Sequence, residues 1–245
     1  SWPRVGGAEV LATRLWPSSS EVHIWCRQMH GTGSLDASIA ALDTAERSRA
    51  TRFAFERDRA RFVRRRAFVR QVLAHYLGLA PAAIGIRYSS LGKPELELSD
   101  GLSFSVSQSE DLTVVAIATH ADVGVDVERL RPVKDVLDLA GSLFADAEAE
   151  RLRAAPEATR SHDFLSLWTR KESFVKAVGA GLWLPLDGFT MLGDGHHGHD
   201  HPHGPAGALP YTWAGFDAPE GFVGAVTLAG ADVCIRRLDV TEAWP

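Results

Sequence analysis

Residues 102–128, LSFSVSQSEDLTVVAIATHADVGVDVE, contain three apolar, β-branched runs separated by polar residues. Runs of this kind are typical of β-strands, and they predict strands at 102–106, 112–119 and 123–127 within one sheet. The polar residues 107–111 suit a hairpin connection between the first two strands. This part of the chain is therefore expected to form the centre of a sheet.

Helical spacing of apolar residues flanks this sheet on both sides. A helix is predicted over 58–77, with Gly78 as its stop signal, and the strongest helical pattern runs over 161–178 and ends at Gly179. Shorter helices are predicted at 136–144 and 145–153. Further strands are predicted at 21–27, 84–88, 189–192, 211–216, 222–228 and 233–238. Without regular strand–helix alternation, the order indicates a mixed α+β fold.

The composition is that of a soluble globular protein, with 245 residues, 45% hydrophobic and 23% charged. No window approaches the roughly 18 consecutive apolar residues of a membrane-spanning helix. The first residues lack the order of a signal peptide, and we expect a cytoplasmic protein with no membrane partner. Cys26 and Cys234 are the only cysteines, which excludes a disulfide framework but leaves one bridge between them open.

Charge is distributed unevenly along the chain. The segment from Arg47 to Arg70 holds ten arginines against Glu56 and Asp58, a local net charge of +8 in a chain of net charge -5. An anionic partner for this segment is one interpretation, and a solvated surface face is the other. The negative charge of the whole chain argues against a general nucleic-acid binder.

Two carboxylates lie close together in GVDVE, residues 124–128. Asp126 and Glu128 are two positions apart, so on a strand they share one face, about 7 Å from each other. A hard divalent cation can bridge such a pair, whereas a solvated edge neutralised by Arg129 and Arg131 is the simpler alternative.

A third carboxylate lies in WTRKESFVK, residues 168–176. Trp168, Glu172 and Lys176 follow each other at intervals of four, which stacks them on one helix face. Glu172 and Lys176 can form a helix pair worth about 0.2–0.5 kcal/mol. Alternatively, Glu172 supplies a further oxygen ligand for Mg²⁺ bound to a diphosphate.

Five histidines lie in the glycine-rich segment 193–207, between His196 and His203. Such a tract can bind transition metals, as a metal carrier does, but it lacks the fixed ligand spacing of a structural or catalytic site. A solvated loop insertion is the other interpretation of residues 196–203.

Several motifs together resemble the Sfp-type 4′-phosphopantetheinyl transferases. They are GKP (92–94), FSVSQS (104–109), GVDVE (124–128), WTRKESFVK (168–176) and GAGL (179–182). Their order and approximate spacing match the family over about residues 46–192, and the Lys-Glu-Ser form resembles its surfactin-activating subgroup.

The resemblance implies transfer of the 4′-phosphopantetheine arm of coenzyme A to a serine of an apo acyl, peptidyl or aryl carrier protein, with release of adenosine 3′,5′-bisphosphate. It implies Mg²⁺, or Mn²⁺ in its place, held by Asp126, Glu128 and Glu172. Glu172 also matches the proposed general base, and Lys176 matches a cation on the diphosphate. The residues that match coenzyme A-binding positions are Arg49, Arg61, Lys93, Ser107, Gln108 and Lys176.

The implied fold has two similar α+β halves related by a pseudo-twofold axis, with the active site in the cleft between them. We accordingly divide the chain into an arm (1–20), an N-terminal half (21–122) and a C-terminal half (123–245), and we expect a monomer. Two positions depart from the family pattern: Glu46 replaces a lysine, and Gln108 replaces a histidine. The alternative function is a non-catalytic anion- or nucleic-acid-binding module that uses the Arg47–Arg70 stripe.

Overall fold

The computed structural model describes residues 16–29, 34–179, 181–193, 197–198, 210–230 and 233–239. Most of the predicted arm lies outside these residues, as does the histidine segment 196–203 apart from the backbone of His197–Gly198. Within the described residues, no helix is both long and apolar enough to cross a membrane.

The structure contains ten strands and six α-helices among the described residues. The strands are β1 (Glu21–Gln28), β2 (Ile86–Tyr88), β3 (Pro94–Leu96), β4 (Leu102–Ser109), β5 (Leu112–Thr119), β6 (Val123–Arg129), β7 (His197–Gly198), β8 (Tyr211–Gly215), β9 (Phe222–Ala229) and β10 (Cys234–Asp239). The helices are α1 (Asp36–Ala40), α2 (Thr44–Ala50), α3 (Glu56–Leu77), α4 (Val136–Leu143), α5 (Asp146–Ala154) and α6 (Glu157–Val178). Short 3₁₀ turns lie at Pro81–Ala83, Gly181–Trp183 and Leu186–Gly188.

Two four-stranded sheets form the frame, and the α+β class is confirmed. The first sheet has the order β10-β1-β5-β4 and the second has the order β6-β9-β8-β7, while β2 and β3 form a separate hairpin. Each four-stranded sheet carries one 22-residue helix, α3 on the first and α6 on the second. Gly78 and Gly179 end these helices in the left-handed conformation, as predicted.

The two sheets share one apolar core. Val22 and Ile24 of β1, Val114 of β5, and Val125 and Val226 of the second sheet lie in the same buried cluster. The opposite faces of the sheets pack against α3 and α6 in two further clusters. Each sheet therefore has one face in the shared core and one face under a helix.

Strand β6 lies in the second sheet, so the prediction that it extends the first sheet is wrong. It pairs with β9 and runs beside β4 without a backbone ladder. The hydroxyls of Ser105, Ser107 and Ser109 on β4 accept the backbone N–H groups of Val125, Val127 and Arg129 on β6, at 3.1, 3.3 and 3.0 Å. We call these three serines the serine seam. In this seam, side-chain hydroxyls accept the N–H groups that backbone carbonyls accept in a regular strand pair.

Other local predictions also needed correction. Residues 107–109 continue β4, and only Glu110 and Asp111 form the turn, with Glu110 at a φ of 51°. No strand forms at 189–192, where the Phe189 carbonyl instead accepts a hydrogen bond from Lys171. Helices α1 and α2 were not predicted. Cys26 and Cys234 do not form a disulfide with each other, and Cys26 is buried whereas Cys234 is exposed.

The division of the chain at residue 122 stays a prediction. Strand β10, from the predicted C-terminal half, pairs in parallel with β1 of the first sheet. The segment 233–239 thus completes a sheet whose other strands all precede residue 120.

Candidate active site

Gly124 allows helix α6 to lie directly against strand β6. A Cβ atom at this position would lie 1.9 Å from the carbonyl oxygen of Ser173 and 2.3 Å from the amide nitrogen of Ala177. Because alternate residues of a strand share a face, Asp126 points to the same side as Gly124. The close approach therefore brings Asp126 beside the helix that carries Glu172 and Lys176.

Asp126 and Lys176 form the centre of the site. The Lys176 Nζ atom lies 2.7 Å from Asp126 Oδ1 and also donates to the Ser107 hydroxyl and the Val125 carbonyl, both at 3.2 Å. The Ser107 hydroxyl donates to the same Oδ1 atom at 2.8 Å. Lys176 thus pairs with Asp126 across the helix–strand contact and not with Glu172 on its own helix.

The Glu172 side chain makes no hydrogen bond or ion pair with any described residue. Burial raises the pKa of its carboxyl group, and the negative charges of Asp126 and Glu128 raise this pKa further, while Lys176 opposes the shift. Burial also raises the pKa of Asp126, against the effect of Lys176 and Ser107. The site therefore concentrates negative charge, and Lys176 offsets it at Asp126.

Glu128 lies at the solvent end of the same strand face. Its Oε2 atom accepts the hydroxyl of Ser109 at 2.9 Å and lies 3.4 Å from Nη1 of Arg131. Arg131 is mostly exposed, so this ion pair is weak. The predicted shared face of Asp126 and Glu128 agrees with the structure, because the valines between them fill the core.

The carboxylates suit a hard divalent cation, although they do not form a complete ligand cluster. Among the described residues, no three His, Cys, Asp or Glu side chains stand close enough together to hold a metal ion. The Asp126 Oδ2 atom, however, is buried without a hydrogen-bond partner, so it is an acceptor that lacks a donor or a cation. Mg²⁺ uses one or two protein carboxylates and takes its other ligands from phosphate and water. The oxygen donors present fit that requirement.

A cavity of about 660 Å³ opens beside these groups. Its lining is mainly apolar, with Phe104, Trp168 and Leu184, whereas Lys93, Glu172, Lys176 and Asp187 provide its charged groups. A mainly apolar cavity with a few convergent charged groups is the usual form of a small-molecule site.

Lys93, between β2 and β3, contacts the end of α6 and lines this cavity. Its Nζ atom donates to the carbonyl of Ala177 at the end of α6, at 2.6 Å, and lies 3.5 Å from Asp122. Burial lowers the pKa of Lys93, and Asp122 partly offsets this effect. In this position the lysine caps the C-terminal end of α6, where cations are favourable.

The remaining predicted coenzyme-binding residues have other surroundings than the carboxylates. Arg49 is exposed, with its guanidinium 5.2 Å from the centre of the Phe62 ring, and Arg61 pairs with Asp111 at 2.8 Å. Gln108 is exposed and lies on the face of β4 opposite to Ser107. None of these three side chains makes a hydrogen bond or ion pair with Asp126, Glu128 or Glu172.

Glu46 has a structural role that accounts for its departure from the family pattern. It completes a capping box with Asp43 at the start of α2. Its buried carboxylate also pairs with Arg66 and with Arg70, whose side chain is fully buried. Two arginines of the stripe therefore belong to the packing between α2 and α3.

Sequence reasoning missed Gly124 and Ser109 as residues that shape the site. The alternation of serine at 103, 105, 107 and 109 was a usable signal, because it places four hydroxyls on one face of a strand. Nothing in the sequence indicates which strand these hydroxyls meet.

Comparison with known proteins agrees with the family resemblance of the motifs. The model of the 4′-phosphopantetheinyl transferase superfamily matches residues 122–200, and the model described as 4′-phosphopantetheinyl transferase, N-terminal, matches residues 31–120. The 4′-phosphopantetheinyl transferase HetI of Nostoc sp. is 37% identical over 168 residues, which cover 67% of this chain and 71% of that protein. A 4′-phosphopantetheinyl transferase of Bacillus subtilis is 31% identical over 204 residues, covering 82% and 88%. Sfp of Bacillus subtilis (strain 168) is 30% identical over 153 residues, covering 62% and 67%. The chain therefore belongs to the 4′-phosphopantetheinyl transferase family.

Proposed function

We propose that this protein transfers the 4′-phosphopantetheine arm of coenzyme A to a serine of an apo carrier protein. The observation that carries this proposal is the convergence of Asp126, Glu172 and Lys176 beside the cavity in a chain of this family. Adenosine 3′,5′-bisphosphate is the other product.

The reaction sets three physical demands on the site. The serine oxygen attacks the β-phosphorus of the coenzyme A diphosphate, and the bond from that phosphorus to the bridging oxygen breaks. The site must orient the diphosphate, offset the charge that grows on the leaving phosphate and accept the serine proton.

Glu172 is the residue that we assign to the proton transfer. It lines the cavity and has no internal hydrogen bond to break. Burial raises its pKa, which strengthens it as a base. Acceptance of the serine proton also removes one negative charge from this carboxylate-rich site.

Charge on the diphosphate is offset by a lysine and by a metal ion in this proposal. The Lys176 side chain, 30% exposed, lines the cavity, and its ammonium can donate to a phosphate oxygen in place of one of its two 3.2 Å contacts. Asp126, Glu128 and Glu172 are the candidate carboxylates for Mg²⁺ or Mn²⁺, which would take one or two of them together with phosphate and water oxygens. When bound, the ion supplies positive charge to the diphosphate oxygens.

The proposal also assigns residues to the rest of coenzyme A and names the class of carrier protein. Ser107 contacts Asp126 and Lys93 lines the cavity, while Arg49, Arg61 and Gln108 are assigned to the nucleotide end of coenzyme A. The carrier is an acyl, peptidyl or aryl carrier protein. In this proposal the transferase acts on it as a cytoplasmic monomer.

The alternative, a non-catalytic anion- or nucleic-acid-binding module, is not supported. Part of the Arg47–Arg70 stripe is engaged in contacts within the protein: Arg66 and Arg70 pair with Glu46, and Arg65 donates to the carbonyl of Glu110. Such arginines serve the packing of α3 and are not a continuous surface for phosphates.

Mass spectrometry of apo carrier proteins tests the proposed reaction. Acyl, peptidyl and aryl carriers are incubated with this protein, coenzyme A and Mg²⁺, with carriers whose target serine is replaced by alanine as the matched control. We expect a gain of one phosphopantetheinyl group only on carriers with the serine. No gain on any of the three carrier classes would refute the proposal.

A further inference from the structure

The three serines of the serine seam make equivalent hydrogen bonds to the backbone of β6. They differ in the hydrogen bonds that they make to its side chains. Ser105, Ser107 and Ser109 each accept one N–H group from β6, at 3.0–3.3 Å. A serine hydroxyl has one proton and two acceptor lone pairs, so each hydroxyl can still donate one hydrogen bond. The destination of that proton distinguishes the three positions.

Ser109 donates to a carboxylate of the proposed metal site. Its Oγ atom lies 2.9 Å from Glu128 Oε2 and 3.0 Å from the amide nitrogen of Arg129, the next residue along β6. The N–H group fixes the orientation of the hydroxyl, and the hydroxyl in turn fixes one oxygen of Glu128. Ser107 makes the same pair of contacts one step earlier, to the Val127 amide and to Asp126 Oδ1.

Ser105 lacks the second contact. It accepts the Val125 amide at 3.1 Å, but the residue at the corresponding position of β6 is Gly124, which has no carboxylate. Ser105 and Ser109 therefore accept equivalent hydrogen bonds from the backbone of β6. Of these two serines, Ser109 also donates to a carboxylate.

Glu128 has little else to hold it. Its side chain is 25% exposed at the end of β6, and its other partner is the mostly exposed Arg131 at 3.4 Å. A glutamate with such freedom loses side-chain entropy when it binds a cation. Outer hydrogen bonds that hold a metal ligand in place typically contribute about 10- to 100-fold to metal affinity.

We propose that Ser109 is a positioning residue that holds Glu128 in the orientation needed to bind the divalent cation. This inference rests on the proposed function, since it concerns the metal site of that reaction. Ser109 acts through Glu128 and does not itself contact the substrate or the cation.

Binding of Mn²⁺ alone to the purified full chain tests this role without any measurement of transfer. Free Mn²⁺ is quantified by electron paramagnetic resonance during titration of the wild type and of Ser109→Ala, Ser109→Thr and Ser105→Ala. We expect Ser109→Ala to raise the Mn²⁺ dissociation constant about tenfold. Ser109→Thr, which keeps the hydroxyl, and Ser105→Ala, which loses only a backbone contact, should stay within about twofold of the wild type.

Unchanged Mn²⁺ affinity in Ser109→Ala would overturn the inference, and so would an equal loss in Ser105→Ala, which would point to general loosening of the seam. Glu128→Gln separates this failure from failure of the proposed function. If Glu128→Gln weakens Mn²⁺ binding and Ser109→Ala does not, Glu128 is a ligand and only the role of Ser109 is refuted. If neither variant affects Mn²⁺ binding, Glu128 is not a ligand, while the carrier assay still decides whether transfer occurs.

Discussion

Glu148 and Lys171 form an ion pair of 2.6 Å whose two side chains are both fully buried. The Lys171 ammonium also donates to the carbonyls of Leu186 and Phe189, at 2.7 and 2.6 Å. The other Glu148 oxygen accepts the amide of Met191 at 2.6 Å. This pair therefore joins α5 and α6 to the segment 186–191, part of which lines the cavity.

Removal of one charge of this pair should strongly destabilise the protein. We expect Glu148→Gln to lower the free energy of unfolding by about 3–5 kcal/mol, because it leaves the Lys171 ammonium buried without a counter-charge. Glu150→Gln on the same helix is the matched control, since it breaks an exposed pair with Arg153 and should cost less than about 1 kcal/mol. Urea denaturation measures both, and equal losses would contradict the prediction.

Any side chain at residue 124 should separate α6 from β6. Gly124→Ala places a methyl group against the helix backbone, and overpacking of this kind costs about 1–3 kcal/mol. The transfer rate should fall even in the fraction of the protein that remains folded, because Asp126 would no longer contact Lys176. Gly188→Ala, with nothing within 4 Å of its added Cβ, is the control. Thermal denaturation and the carrier assay report the two effects, and full transfer by a folded Gly124→Ala protein would disprove the prediction.

Glu172→Gln should reduce the transfer rate far more than Glu128→Gln. Both variants lose a carboxylate of the proposed metal site, but only Glu172 is also assigned to the proton transfer, and a positioned base contributes about 10²–10⁴-fold. Single-turnover rates at saturating Mg²⁺ separate these contributions. If the two folded variants lose the same factor in transfer rate, Glu172 acts only in metal binding and is not the base.

Removal of divalent metal should abolish transfer. Asp126, Glu128 and Glu172 repel a diphosphate, and the single ammonium of Lys176 is already paired with Asp126. Excess EDTA is therefore expected to stop the reaction, and added Mg²⁺ or Mn²⁺ to restore it. EDTA that is already saturated with Mg²⁺ controls for other effects of the chelator. Transfer that persists in excess EDTA would rule out a metal requirement.

Introducing the family's lysine at residue 46 should lower the free energy of unfolding of this protein. Glu46→Lys replaces the buried partner of Arg66 and Arg70 with a third cation, and an uncompensated buried charge costs about 3–5 kcal/mol. Glu56→Lys reverses the charge of an exposed residue of α3 and should change stability by about 1 kcal/mol or less. Chemical denaturation compares the two. A Glu46→Lys protein as stable as the wild type would refute the structural role of Glu46.

The long helices and the carboxylate face could be predicted because their signals are local. Gly78 and Gly179 mark helix ends by their freedom to adopt positive φ, and alternation along β6 separates Asp126 and Glu128 from the valines. The family resemblance then indicated which of these residues belong to one site.

Contacts between elements distant in the chain could not be predicted from local pattern. Lys176 can reach Glu172 or Asp126, and only the packing of α6 on β6 decides for Asp126. The apolar run of β6 suits either sheet, and its true partner β9 lies about 100 residues later, a separation at which strand periodicity carries no pairing information.

The parallel pairing of β1 with β10 bears on how the chain folds. Residue 21 meets residue 234, so the edge of β1 stays uncovered until almost the whole described chain has been synthesised. Until then β1, whose side chains at 22–26 are all buried in the final fold, presents an apolar strand with unpaired N–H and C=O groups. Such an edge can pair with another chain, and non-local closure of this kind is slow. A nascent or truncated chain that lacks β10 is thus exposed to aggregation through its first strand.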